Sequence, residues 1–117
     1  MLRDARALLW DVADAAAAVA TFVEGRRLSD YLADRMFRSA VERECTIVGE
    51  ALNQLRKVDP ALADRIPELA RIVGFRNLLA HGYAEIDHES VWRTVTENLP
   101  VLGRTVEVLR SELDAQS

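Results

Sequence analysis

Residues 37–55, FRSAVERECTIVGEALNQL, decide the fold class of this chain. Their apolar residues recur at intervals of three and four, which is the spacing of one face of an amphipathic α-helix. The apolar face consists of Phe37, Ala40, Val41, Val48, Ala51, Leu52 and Leu55, with Ile47 at its edge. We expect this stretch to form most of a long helix that has its N-cap at Ser29 and Asp30 and ends near Lys57.

Gly49 lies inside this predicted helix, where glycine costs about 1 kcal/mol relative to alanine. A glycine in that position most often marks the close approach of two helices, and a role beside a ligand is the less common alternative. A helix of roughly 28 residues would be about 40 Å long. We therefore expect it to pack against more than one partner, within this chain or in another.

The segments on either side are also helical by the same spacing. A first helix is predicted over residues 2–24, and Gly25 follows it where a left-handed residue costs least. After the long helix, Asp59 and Pro60 are typical of an N-cap and a first helical residue. They predict a short turn or helix through Arg65.

The last part of the chain predicts two more helices. Pro67 opens the third, which ends near His81 and Gly82. Asp87 is the predicted N-cap of the fourth. Pro100 lacks a backbone N–H and is expected to kink or break that fourth helix.

The whole-chain composition agrees with a single domain over residues 1–117. Of the 117 residues, 50% are hydrophobic and 29% are charged, and only five glycines and three prolines are available for turns. We predict an all-α, up-and-down bundle of four to five helices. The formal net charge of −4 counts against a broad nucleic-acid surface but not against a small phosphate site.

The chain contains one cysteine, so no intrachain disulfide can form. Cys45 lies within the long helical pattern and is expected to be a buried structural thiol. No apolar stretch reaches the length of a membrane span, and no secretory signal pattern opens the chain. These observations favour a cytoplasmic protein with no membrane partner.

The two histidines are the candidates for proton transfer. His88 follows Asp87 in a polar segment and is expected to be a solvated surface residue. His81 lies five residues after Arg76, about 140° around a helix, so the two would not share a face. A fixed arginine and a histidine can together cleave an RNA phosphodiester without a metal. Taken alone, however, an arginine and a histidine at a helix end are more often surface or capping residues.

The segment FRNLLAHGYAEID at residues 75–87 resembles the HepT-like toxins of the HEPN superfamily. IVGEAL in the long helix, Pro67, and VWRTVTENLPVL at residues 91–102 are similar to that family at similar spacing. The chain departs from many relatives at Glu68, where they carry a tryptophan. The family signature falls on Arg76, Asn77, His81 and Tyr83.

The resemblance implies a HEPN bundle that pairs as a homodimer. Arg76, Asn77 and His81 of both copies would then form one composite ribonuclease site, independent of metal and of any other cofactor. Glu50 matches an acidic residue of the family and would either orient the site or form a surface ion pair.

The resemblance also implies a toxin–antitoxin pair. The partner would be an MNT-type nucleotidyltransferase antitoxin that transfers AMP to Tyr83, which otherwise would be a partly buried core or interface tyrosine. An alternative is a non-catalytic helical dimer that binds a nucleotide or the partner enzyme. A third is a pairing module whose motif residues are all replaceable.

Overall fold

The computed structural model describes residues 4–81 and 86–116, with the side chain of His81 left out. Every regular element in those ranges is helical, which confirms the predicted all-α class. In chain order the α-helices are α1 (Ala5–Val23), α2 (Leu28–Ala33), α3 (Arg35–Val58), α4 (Pro60–Ala63), α5 (Leu69–His81), α6 (His88–Arg93) and α7 (Leu99–Ala115), and a π-helical turn at Thr94–Asn98 joins the last two.

Helix α1 has a defined cap at each end. The Asp4 carboxylate accepts a hydrogen bond from the backbone N–H of Ala7 at 2.9 Å, which satisfies a donor that has no partner within the helix. Beyond Val23, Gly25 has a φ of 71°, a left-handed value that glycine adopts without steric cost. The predicted end of this helix at Gly25 is confirmed.

The long helix predicted to run without interruption to Lys57 is two helices, so that prediction is wrong in its first part. At Asp34 the backbone is extended, with φ −124° and ψ 101°. The Asp34 carboxylate accepts a hydrogen bond from the backbone N–H of Phe37 at 3.1 Å. A local side-chain cap therefore competes with continued helix at this point and ends α2.

The predicted N-cap at Ser29 and Asp30 is also displaced. Both residues lie inside α2, which has Arg27 as its N-cap. The Asp30 carboxylate accepts a hydrogen bond from the backbone N–H of Arg27 at 2.8 Å. At the other end of α2, Arg38 Nη1 donates to the carbonyl of Leu32 at 2.6 Å, so the corner between α2 and α3 has hydrogen-bond partners of its own.

Asp59 and Pro60 begin α4 as predicted. The Asp59 carboxylate accepts a hydrogen bond from the backbone N–H of Leu62 at 3.1 Å, and Pro60 is the first helical residue. The helix ends at Ala63, two residues before Arg65. It turns the chain from α3 towards α5.

Asp87 caps α6, which confirms another prediction. Its carboxylate accepts hydrogen bonds from the backbone N–H of Glu89 at 3.1 Å and from the hydroxyl of Ser90 at 2.8 Å. The hydrogen bonds from Ser90 hold the pKa of the Asp87 carboxyl below its usual value.

Pro100 does not break the last helix. Helical residues continue from His88 to Ala115, and the π-helical turn precedes the proline. In that turn the backbone N–H of Leu99 donates to the carbonyl of Thr94, five residues back. The Thr96 hydroxyl donates to the Trp92 carbonyl at 2.8 Å. The π-helical turn shifts the hydrogen-bond register, so the helix continues although Pro100 has no backbone N–H to donate.

The four longer helices form the bundle. Helix α1 packs against both α3 and α7, and α3 packs against α5. Among the described residues, no helix has both the length and the apolar character to cross a membrane. The centre of the core is aliphatic and fully buried, and its main members are Leu8, Leu9, Val12, Val19, Val41, Val48, Leu52, Leu55, Ile72, Leu102 and Val106.

Candidate functional site

Helices α3 and α5 approach each other closely at Gly49. A β-carbon at position 49 would overlap Cβ of Arg76 and would lie 2.5 Å from its Cγ. The missing side chain of Gly49 therefore leaves the space that the Arg76 side chain occupies. The prediction that Gly49 marks a close helix approach is confirmed, and the structure shows which residue fills the space.

Two oxygens from different helices hold the guanidinium of Arg76. Nη2 donates to Oε1 of Glu50 in α3 at 3.1 Å, and Nη1 donates to Oδ1 of Asn77 in α5 at 2.9 Å. The Arg76 side chain is 26% exposed and that of Glu50 is 50% exposed. The structure thus brings Glu50, Arg76 and Asn77 together at one place on the α3–α5 surface.

Glu50 was expected either to orient the site or to form a surface ion pair. It does form an ion pair, and its partner is Arg76 itself. An ion pair at this exposure contributes little to stability, on the order of 0–1 kcal/mol. Its consequence is mainly geometric, because it restricts where the guanidinium can point.

The Nε atom of Arg76 is buried and has no hydrogen-bond partner among the described residues. An arginine normally uses all its donors when they leave water. Here the middle of the side chain is enclosed at the contact with Gly49, while the two terminal nitrogens reach the surface. The enclosed part of Arg76 has little room for other rotamers.

The remaining motif residues lie at and beyond the end of α5. His81 is the last residue of that helix, five residues after Arg76. Its side chain and the whole of Tyr83 lie outside the described residues. The structure therefore brings Arg76, Asn77 and Glu50 into contact and gives the backbone position of His81.

His88 was predicted to be a solvated surface residue, but it is only partly exposed. Its ring packs edge-on against Tyr31 of α2, with ring centroids 6.3 Å apart, and its Nδ1 is buried. Tyr31 also contacts Phe37 at 5.4 Å and Trp92 at 5.3 Å between centroids. Helix α6 packs on α2, and this tertiary contact covers part of the His88 side chain.

Sequence reasoning missed Tyr31, which is fully buried. Burial raises the pKa of its hydroxyl, and nearby Glu42 adds to that effect. The two aromatic residues Tyr31 and Phe37 could have indicated an aromatic cluster in the core. The predicted unbroken helix obscured it, because the chain changes direction at Asp34 between them.

Cys45 is buried, as predicted, at 2% exposure. Burial raises the pKa of its thiol to about 12, with further contributions from Glu42 and Glu44. A thiol in that state is a poor nucleophile and a poor metal ligand. Within residues 4–81 and 86–116, no three His, Cys, Asp or Glu side chains are grouped so that they could hold a metal ion.

A groove of about 720 Å³ lies on other helices, between α1 and α7. Alanine and aliphatic side chains form most of its walls, with Arg104 and Glu107 among the few charged residues. Such a surface has little with which to bind and cleave a phosphodiester. Among the described residues, the candidate site with charged and polar groups in contact is the one around Arg76.

Comparison with known proteins identifies the family of this chain. The sequence model of the family described as "Ribonuclease HepT-like" matches residues 12–109, a span that includes both helices of the site. No solved structure gives a significant match to the chain.

Three relatives illustrate the similarity. A Methanocaldococcus jannaschii protein provisionally named as an RNase is 31% identical over 109 residues, covering 92% of this chain and 97% of the relative. A Thermococcus cleftensis protein provisionally named ribonuclease HepT is 33% identical over 112 residues, covering 94% and 99%. A Caldanaerobacter subterraneus protein, also provisionally named as an RNase, is 30% identical over 91 residues, covering 77% and 80%.

Proposed function

Because the chain belongs to the HepT-like ribonuclease family, we propose that it is a metal-independent endoribonuclease that acts through Arg76, Asn77 and His81. The observation that supports this best is the fixed guanidinium of Arg76, on the helix that ends with His81. An arginine already held in place loses little side-chain freedom when it binds a phosphate.

Arg76 can bind a phosphate without releasing its present partners. Each terminal nitrogen of a guanidinium carries two hydrogens. On Arg76 one of these goes to Asn77 and one to Glu50, so one hydrogen on each nitrogen lies outside those two bonds. These hydrogens can donate to phosphate oxygens, and they stabilise the transition state more than the substrate as negative charge builds.

His81 provides proton transfer in this proposal. A neutral imidazole takes the proton of the RNA 2′-hydroxyl, whose oxygen then attacks the phosphorus. The bond from phosphorus to the 5′-oxygen breaks, and a protonated imidazole gives its proton to that oxygen. The end of α5 is a suitable place for this residue, because a helix C-terminus favours the protonated form.

A homodimer would complete the site. Arg76 and His81 are about 140° apart around α5, so one copy does not present both on a single face. The other face of α5 carries Leu78, which is 46% exposed, next to the exposed Asn77. An apolar side chain left in water beside the motif supports pairing of two copies through α5.

We further propose that this enzyme is a cytoplasmic toxin whose partner is an MNT-type nucleotidyltransferase antitoxin. Transfer of AMP to Tyr83 would place a phosphate and a nucleoside two residues from His81. The added negative charge would repel the substrate phosphate from Arg76, and its bulk would block access. Tyr83 is thus a regulatory residue in this proposal rather than a catalytic one.

The test is RNA cleavage by the purified chain in the presence of EDTA. His81→Ala and Arg76→Ala are each expected to lower the cleavage rate by about 10²- to 10⁴-fold, because each removes a group that acts in the transition state. His88→Gln is the matched control, since the other histidine packs against Tyr31.

Circular dichroism and thermal unfolding would accompany each assay to show that the variants fold. Full activity in a folded His81→Ala variant would contradict the catalytic assignment. Saturable nucleotide binding by a wild-type protein that cleaves no RNA would favour the non-catalytic dimer instead.

A further inference from the structure

We propose that Gly49 is a positioning residue for the ribonuclease reaction, because it leaves the space that directs the Arg76 guanidinium to the surface where Glu50 and Asn77 hold it. This inference rests on the proposed function, since it concerns how the proposed catalytic arginine is held. Gly49 itself touches no substrate in this account.

Gly49 and Arg76 are in close steric contact. Any β-carbon at position 49 would meet Cβ and Cγ of Arg76, the two atoms from which the rest of that side chain extends. The colliding atoms are near the backbone of α5, so rotation of the arginine tip would not relieve the contact. Either α5 must move away from α3, or the Arg76 side chain must leave along another direction.

The two ends of the Arg76 side chain have contrasting surroundings. Next to Gly49 it is enclosed, and its Nε is buried without a partner among the described residues. At its tip it meets Glu50, the residue that follows Gly49 in α3, and Asn77, the residue that follows Arg76 in α5. Gly49 therefore leaves space for the Arg76 side chain, and its neighbour Glu50 in the same helix accepts a hydrogen bond from the guanidinium.

Gly49 differs from Gly103, the other glycine at a helix contact among the described residues. Glycine in a helix interior is disfavoured relative to alanine. Gly103 of α7 also lies at a helix contact, but a β-carbon there would meet Cβ of Ala16 at 3.7 Å, an ordinary van der Waals distance. The two glycines thus offer the same substitution with opposite expected outcomes.

The experiment compares Gly49→Ala with Gly103→Ala in the full-length protein. Gly103→Ala is expected to raise Tm by about 2–6 °C and to leave cleavage unchanged. Gly49→Ala is expected to lower Tm and to reduce kcat by about 10²-fold, with a smaller change in KM, because a misplaced arginine fails chiefly in the transition state.

A second readout follows Arg76 without any activity. The Nε–H proton of a buried arginine exchanges slowly with water, and its NMR signal can be assigned with an Arg76→Lys variant. That signal is expected in the wild type and in Gly103→Ala, and it should be lost in Gly49→Ala. If the wild type cleaves no RNA, the proposed function fails, while this signal still reports whether Gly49 positions Arg76.

Two results would overturn the inference. One is a folded Gly49→Ala variant that keeps the Arg76 signal and wild-type kcat, even with a lowered Tm, because Gly49 would then serve packing only. The other result applies if Gly49→Ala does not fold, and it is the failure of a second substitution at Arg76 to restore folding. Adding Arg76→Gly removes both colliding atoms and should restore folding to the level of Arg76→Gly alone, and failure to do so would contradict the proposed contact.

Discussion

At the scale of single residues, the surroundings of Arg76 show how two helices share the control of one side chain. Gly49 and Glu50 are consecutive in α3 and act on different parts of the arginine, one by leaving space and the other by accepting a hydrogen bond. Asn77 supplies the second acceptor from α5. The guanidinium is therefore oriented by acceptors from both helices.

Tyr31 contrasts with Arg76, because nothing among the described residues accounts for its polar hydroxyl. Its ring is fully buried among Phe37, Trp92 and His88, and its hydroxyl has no hydrogen-bond partner among the described residues. A buried hydroxyl without a partner costs roughly 1–3 kcal/mol.

Tyr31→Phe is accordingly expected to keep or increase the free energy of unfolding, by up to about 1 kcal/mol, since it removes the hydroxyl and keeps the ring. Urea denaturation would measure the change. Tyr31→Leu serves as the comparison, because it removes the aromatic contacts and should destabilise the protein. A loss above about 1 kcal/mol in Tyr31→Phe would mean that the hydroxyl has a partner outside the described ranges.

At the scale of helices, Asp34 decides where α3 begins. Its side chain accepts the N–H of Phe37 and thereby turns a potential continuous helix into α2 and α3. The turn lets α2 pack against α6, and this contact buries Tyr31 and brings the His88 ring against it. One local hydrogen bond thus has consequences for the aromatic cluster.

Asp34→Ala is expected to lower the free energy of unfolding by about 1 kcal/mol, because the cap is lost. Asp34→Asn is the matched control. It keeps an oxygen that can cap the helix and removes only the charge that faces Arg26 at 3.9 Å, so it should remain within a few tenths of the wild-type value. Unchanged or increased stability in Asp34→Ala, measured in urea, would show that the break between α2 and α3 does not depend on this cap.

At the scale of the whole molecule, the proposed function depends most on the position of α5. Its main packing partner is α3, whereas α1 packs on two long helices. Helix α5 thus lies at the edge of the bundle and exposes Leu78 beside Asn77. The proposed homodimer would cover this face and bring the motif residues of two copies together.

Mixing two inactive variants would test that arrangement. If the site is shared, subunit exchange between Arg76→Ala and His81→Ala proteins creates heterodimers in which one copy contributes His81 and the other Arg76. RNA cleavage well above that of either variant alone is then expected. The control replaces the Arg76→Ala partner with the double variant Arg76→Ala, His81→Ala, which supplies no His81. A mixture no more active than the sum of its parts would argue that each copy holds its own site.

The sequence by itself determined the helical class, most helix positions and several helix ends. Asp59, Asp87 and Gly25 were predicted correctly because a cap or a left-handed residue acts within a few positions of itself along the chain. The periodic apolar residues of the long helix identified the buried face of α3, because a helix must bury its apolar face.

Tertiary structure decided what depends on residues far apart in sequence. The burial of Tyr31 and the partial burial of His88 depended on the contact between α2 and α6. The space at Gly49 has meaning only because Arg76, 27 positions later, passes through it. The motif around RNLLAHGY could be found in the sequence, but the way α3 holds its arginine could not, because that follows from two helices meeting.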